Sequence, residues 1–148
     1  MSVNIRPMTE DDVKHVYRSG IEVEEFQTSE AAGNISPFWP EEHLYDWVET
    51  ESDVLLVAED NKKIVGYFLS YIHLSTKTAY IRNVYVDDDY RRKGIGTQLV
   101  KEGLSQFSNK DVEYVAALVK PDNVPMKKLF KDIDFNEGNI FTWIDKFI

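Results

Sequence analysis

Two spacings of apolar residues run through the chain. Near the amino end, Val3-Asn4-Ile5-Arg6 alternates and predicts a first or edge strand that Pro7 closes. Thr9-Glu10-Asp11-Asp12 then reads as a helix start, a capping threonine followed by acids, with Val13, Val16 and Tyr17 as its apolar stripe. Gly20 stands where that helix could end or weaken. From Ile21 to Pro40 the pattern lapses; two prolines and Phe38-Trp39 suggest a loop packed by its own aromatics. A short helix is predicted over Glu41 to Glu49, with Leu44, Trp47 and Val48 inward. Val54–Ala58 and Ile64–Ile72 read as strands joined by a polar hairpin turn, Glu59 to Lys63. A turn at Ser75–Thr78 leads into a third strand through Tyr80-Ile81-Arg82-Asn83-Val84-Tyr85-Val86, so an antiparallel meander is expected.

The spacing then changes to that of a helix: Ile95, Leu99, Val100, Leu104 and Phe107, with Gln98, Lys101, Glu102 and Gln106 between them. Tyr114 to Val119 is apolar on both faces, which suits a central strand parallel to the one before the helix. Pro121-Asp122-Asn123-Val124-Pro125 opens another helix, with Asp122 or Asn123 as its cap, Pro125 in its first turn, and Leu129, Phe130 and Ile133 as its inner face. Asn139 to Ile148 alternates in part and predicts a final strand. The expected order is β-α-α-β-β-β-α-β-α-β, with no internal repeats.

The hand-over from strand to helix carries the candidate chemistry. Asp87-Asp88-Asp89-Tyr90 is followed by Arg91-Arg92-Lys93-Gly94-Ile95-Gly96-Thr97. The first turn of a helix has N–H groups with no partner and the positive end of the helix dipole. Glycines there let an anion approach those groups closely. Three cations just before a helix start are unfavourable unless something negative meets them. A bound phosphate would meet them; so would the three aspartates, with the glycines merely shaping a turn. The loop is not a Walker loop, since no Gly-Lys-Ser/Thr follows, and it lacks the third glycine of the dinucleotide fingerprint. A parallel strand-helix-strand unit is right-handed and binds ligands at the carboxyl ends of its strands. Val86, Gly94 and the stretch Lys120 to Asn123 would then surround one site.

Composition narrows the partners. The 148 residues are read as one domain, 1–148, with 43% hydrophobic and 29% charged residues. No apolar run has the length of a membrane span and the first residues do not resemble a signal peptide, so a cytoplasmic location and no membrane partner are expected. The net charge of -9 argues against nucleic acid and is compatible with amines. Cysteine is absent, which excludes thiolate metal sites and a cysteinyl acyl intermediate. No metal is expected, and a homodimer is left open.

Arg91-x-x-Gly94-x-Gly96 resembles the Q/R-x-x-G-x-G/A signature of the GNAT (Gcn5-related) N-acetyltransferases, and Asn123-x-x-Met126-x-x-Leu129-Phe130-x-x-x-Asp134-Phe135 resembles that family's N-x-x-A-x-x-L-Y-x-x-x-G-F block. The resemblance covers roughly Ala79 to Phe135. It implies an α/β (α+β) fold with a mixed, mostly antiparallel central sheet flanked by helices. It implies acetyl-CoA as co-substrate and direct transfer of the acetyl group to an amine in a ternary complex. The acceptor would be a small amine, an amino acid derivative, or a peptide or protein amine.

Residue by residue, the resemblance implies that the backbone of Val84, Tyr85 and Val86 lines the pantetheine. Arg91, Arg92, Lys93, Gly94, Ile95, Gly96 and Thr97 would hold the pyrophosphate, and Asn123 and Phe130 would contact the cofactor. Tyr80 aligns with a strand tyrosine used as a base by some relatives; the alternative is an ordinary core-facing aromatic. Glu22, Glu24 or Glu25 is the other candidate base, and Glu25 and Phe26 are candidate acceptor contacts. His73, near a strand end, reads as structural or exposed rather than catalytic. Two departures stand out: Phe130 replaces the tyrosine that many members use as an acid, and Arg82 stands where many carry a glutamate. They keep a CoA-binding sensor with little catalysis as the alternative. Plain phosphate binding without CoA would leave the Asn123 block unexplained.

Overall fold

The computed structural model describes residues 2–22, 38–146 and 148. The elements follow the order β1 (Val3–Pro7), α1 (Val13–Glu22), α2 (Glu41–Glu49), β2 (Leu55–Asp60), β3 (Lys63–His73), β4 (Thr78–Val86), α3 (Ile95–Asn109), β5 (Tyr114–Ala117) and α4 (Val124–Asp132). The five strands form one sheet in sequence order. β1 to β4 pair antiparallel, and β4 pairs β5 parallel.

Each face of the sheet has its own core. Leu56, Ala58, Val65, Phe68, Ala79 and Ile81 pack with Ile95, Leu99, Val100 and Phe107 of α3 and with Phe130 of α4. On the other face Leu55, Val57, Ile64, Tyr67 and Leu69 pack with Val13 and Val16 of α1, Leu44 of α2, and Phe38. Both cores follow from the periods read in the sequence. A strand buried on both sides is apolar without alternation, and α3 buries one stripe.

The start of α1 is held by a charged knot. Thr9 N–H donates to Asp12 Oδ2 at 2.8 Å, and Arg6 donates to both Asp12 oxygens at 2.8 and 2.9 Å and to Glu59. Gly20 does not end the helix, which continues to Glu22; the glycine is buried against the ring of Phe38.

Three expectations change. The hairpin turn is shorter than Glu59 to Lys63: only Asn61 and Lys62 lie between the strands, both at positive φ (48° and 69°), as a tight two-residue turn demands. Tyr114 to Val119 is not a central strand. Within the described sheet β5 is the edge, four residues long, with Tyr114 and Leu118 exposed. The predicted final strand is absent: no described residue from 136 onward belongs to a strand, and Ile140, Phe141, Trp143 and Ile144 are exposed. Alternation makes a strand only where a ladder and a buried face receive it, and here neither does.

Candidate active site

The loop between β4 and α3 meets the conditions for holding an anion. Gly94 caps α3 in the left-handed region, φ 79°, and a Cβ there would meet nothing within 4 Å. A side chain is therefore disfavoured by backbone conformation rather than by crowding. Arg92 also has positive φ, 63°. Among the described residues the N–H groups of Arg92 to Thr97 find no hydrogen-bond acceptor. They surround the positive end of a 15-residue helix.

The cations of this loop divide. Arg91 is engaged: its Nε donates to Val86 O at 3.0 Å, and it pairs with Asp88 at 3.0 Å beside the Tyr85 ring. Lys93 lies over Tyr90, whose hydroxyl donates to Asp60 at 2.8 Å. Among the described residues neither Arg92 nor Lys93 has a carboxylate within 4.0 Å. The aspartates thus neutralise one of the three cations and leave two.

The strand beside the loop is open along one edge. The β4–β5 ladder runs from Thr78↔Tyr114 to Ile81↔Ala117 and stops, while β4 continues to Val86. Beyond Ile81, among the described residues, the backbone of Val84, Tyr85 and Val86 has a strand neighbour only in β3, to which Tyr85 and Val86 pair through Tyr67 and Gly66. A bulge sits at the same point. Leu69 pairs Asn83 and Ser70 pairs Ile81, so Arg82 has no partner in β3. A bulge rephases the strand. Ala79 and Ile81 face the α3 side, and after the bulge so do Val84 and Val86, while Tyr85 turns to the α1 side.

On that side a cleft of about 480 Å³ is lined by His15, Arg18, Ser19 and Glu22 of α1 with Tyr85 and Asp87. Tyr85 stacks on Tyr67 at 5.2 Å. Burial, and after it the Asp87 carboxylate, pushes the Tyr85 phenol above its ordinary 10.0. Burial does the same to Tyr67, against a weaker opposing effect of the Ser19 hydroxyl. Both phenols therefore stay protonated near neutral pH and keep an O–H to donate. Ser19 Oγ and Tyr67 Oη are buried without a partner in hydrogen-bond geometry.

The remaining predicted residues scatter. Tyr80 is not core-facing; it is 37% exposed and stacks on Tyr71 at 5.1 Å. Asn123 caps α4, its Oδ1 accepting from Met126 N–H at 3.3 Å. Phe130 is in the core, 6% exposed and edge-on to Phe135 at 4.9 Å. Gly96 faces α4 rather than open space. His73 is exposed and bonded to Thr76 Oγ1. Glu22 lines the cleft, whereas Glu24, Glu25 and Phe26 lie outside the described residues. Missed in the sequence were His15, Arg18, Ser19 and Asp87. The helical recurrence of the first three with Glu22 was visible, but not what it faces.

A loop of free amides at a helix start thus lies beside a strand that outruns its parallel neighbour. The chain belongs to the Acetyltransferase (GNAT) family, which matches residues 21–135. It is 30% identical to the L-2,4-diaminobutyric acid acetyltransferase of Virgibacillus pantothenticus over 67% of each chain. It is 26% identical to the [ribosomal protein bS18]-alanine N-acetyltransferase of Escherichia coli K12, over 66% of this chain and 70% of that one. The same fold occurs in AAC(6')-Iy, solved with the bisubstrate analog CoA-S-monomethyl-acetylneamine: TM-score 0.77, 15% identity and full coverage of both chains. The chain is an acetyl-CoA-dependent N-acetyltransferase. Among the described residues no helix is long and apolar enough to cross a membrane, and no three acidic or histidine side chains gather as metal ligands would.

Proposed function

We propose that this enzyme moves the acetyl group of acetyl-CoA directly to a primary amine of a small molecule or peptide, with both substrates bound together. The observation that supports this best is the coincidence of three features at one place: the free N–H groups of Arg92 to Thr97, the end of the β4–β5 ladder at Ile81, and the cleft beside Tyr85. The loop fits a pyrophosphate, since its amides are unused and Arg92 and Lys93 are unpaired among the described residues. The open edge of β4 fits an extended, amide-bearing arm, which can hydrogen-bond to strand backbone as another strand would.

Bound acetyl-CoA would supply the acetyl group and depart as the free thiol. The chain's own residues have three tasks. Arg91 to Thr97 hold the phosphates, and Asn123, at the start of α4, contacts the cofactor. Val84 to Val86 orient the thioester, with a backbone N–H to polarise its carbonyl. Tyr80, or Glu22 through a water, receives the proton the amine must lose. Phe130 has no hydroxyl and is buried, so it contributes packing. Without cysteine there is no thiol to carry the acetyl group, which favours direct transfer. Holding two reactants together is itself a large contribution to rate, so modest acid and base groups suffice.

The test is thiol release from acetyl-CoA across amines and short peptides, read with a thiol-reactive dye. The protein has no cysteine and adds no background. Amine-dependent release is expected. CoA binding without release for any amine would replace this reading with the sensor.

A further inference from the structure

We propose that Arg82 is the anchor for a carboxylate on the acceptor, so that the acceptor is a free amino acid or diamino acid rather than a bare polyamine. This rests on the transfer reading of the same site and narrows its substrate class.

Arg82 stands at a junction. It is the first residue of β4 beyond the last β4–β5 pair, and the bulge leaves it unpaired to β3. Bulges beside active sites aim a side chain, and this one aims a guanidinium. Tyr80, the candidate base, is two residues earlier on β4, which spans roughly 6–7 Å of strand. An amino acid could therefore set its carboxylate on Arg82 and its amine near Tyr80.

Its surroundings favour an anion. The guanidinium carbon lies 5.2 Å from the centroid of the Trp143 ring, 5.8 Å from Trp39 and 5.9 Å from Tyr71. Aromatic rings hold the planar cation while its N–H edge stays available to a carboxylate, which it can grip with two parallel bonds. Half-buried among rings, such a pair is less screened than one in water. Among the described residues Arg82 makes no ion pair and donates no hydrogen bond, although the chain has 26 acidic residues against 17 basic. Arg6 and Arg91 both bond to carboxylates of this chain. Among the described residues Arg18 and Arg92 also lack an acid, but Arg82 alone of the three stands at the head of the opening between β4 and β5, where it is free for a ligand.

The experiment compares amines that differ only in the carboxylate: L-2,4-diaminobutyrate against 1,3-diaminopropane, and L-lysine against L-lysinamide. Wild type should favour each acid by about tenfold or more in kcat/KM, the worth of a charge-assisted pair. Arg82→Gln should bring that ratio close to one, mainly by raising KM for the acid, with CoA affinity unchanged. Arg82→Lys, which keeps the charge but not the fork, should recover only part of it.

A second readout needs no turnover. Trp39 and Trp143 flank Arg82, so tryptophan fluorescence should change saturably with the acids, not with the diamine or amide, and not in Arg82→Gln. Thiol release with no preference for the acids, and no Arg82-dependent fluorescence change, would overturn the anchor and leave the transferase standing. Saturable, Arg82-dependent binding of the acids without any thiol release would uphold the anchor and overturn the transfer. An Arg82→Gln variant equally impaired on acid and amide would make the arginine a structural clasp for the aromatic cluster.

Discussion

Gly96 of α3 lies directly against Leu129 of α4: a Cβ built on the glycine would come 2.9 Å from Leu129 Cδ1. The two glycines of the loop from Arg91 to Thr97 therefore do different work. Gly94 is needed for its backbone angle and faces open space, whereas Gly96 lets two helices approach. Gly94→Ala should strain the loop by about 1 kcal/mol and weaken CoA binding with little change in the rest of the fold. Gly96→Val should overpack the α3–α4 contact at a cost of roughly 1–3 kcal/mol, visible as a lower melting temperature even without ligand. Calorimetric titration with CoA and thermal melts of both variants separate the two effects. Equal CoA affinity in Gly94→Ala and wild type would remove the phosphate-loop assignment.

Tyr80 stacks on Tyr71 through its ring, and its hydroxyl makes no described hydrogen bond. Tyr80→Phe keeps the stack and deletes only the proton acceptor. Turnover should fall by about a hundredfold, the low end of general acid–base effects, with the melting temperature and CoA affinity unchanged. An unaltered rate in steady-state assays would pass the role to Glu22 or to water.

Asn123 serves α4 through its Oδ1 and could serve the cofactor through its amide nitrogen. Aspartate caps helices as well as asparagine does. Asn123→Asp should therefore keep the melting temperature while weakening CoA binding through repulsion of the phosphates. Asn123→Ala should lose about 1 kcal/mol of stability, near 3 °C for a chain of this size. If the aspartate variant binds CoA as wild type does, Asn123 is a cap and nothing more.

Asp12 gives the fold an acid-sensitive point. Burial raises its pKa, but the hydrogen bonds from Arg6 and Thr9 and the Arg6 charge together outweigh burial, so the carboxyl titrates below its ordinary 3.8. A depressed acid contributes stability above its unfolded pKa and loses it as pH falls through the folded value. Asp12→Asn should thus melt well below wild type at neutral pH, and the gap should narrow as pH drops below about 4. Melting curves of the two proteins from pH 7 to pH 3 check this; a constant gap would mean that the Arg6 charge does not matter to the cap.

Much of the candidate loop was legible because the features that shape it are local. The amides of Arg92 to Thr97 are free for the same reason in any helix that starts after such a loop, and the residues that matter are neighbours in the chain. Arg82 was legible only as a departure from the family's glutamate. Trp39, Tyr71 and Trp143, which frame it, are far apart in sequence, and nothing local brings them together. Tyr85 was read for its backbone; that its side chain turns to the α1 cleft depends on the bulge, and a one-residue change of register reverses the face of everything after it.

The sequence by itself determined the order of the first nine elements, the stripe of α3 from Ile95 to Phe107, a cap at Asp122 or Asn123 and the loop at Arg91 to Thr97. Periodicity, capping and glycine placement act within a turn or two, so they can be read along the chain. Only the tertiary structure decided that β4 outruns β5 at Ile81, that Gly96 serves Leu129, that Phe130 belongs to the core and that Asn139 onward forms no strand. Each depends on which surfaces meet across the sheet, and burial is a property of both partners rather than of either segment alone.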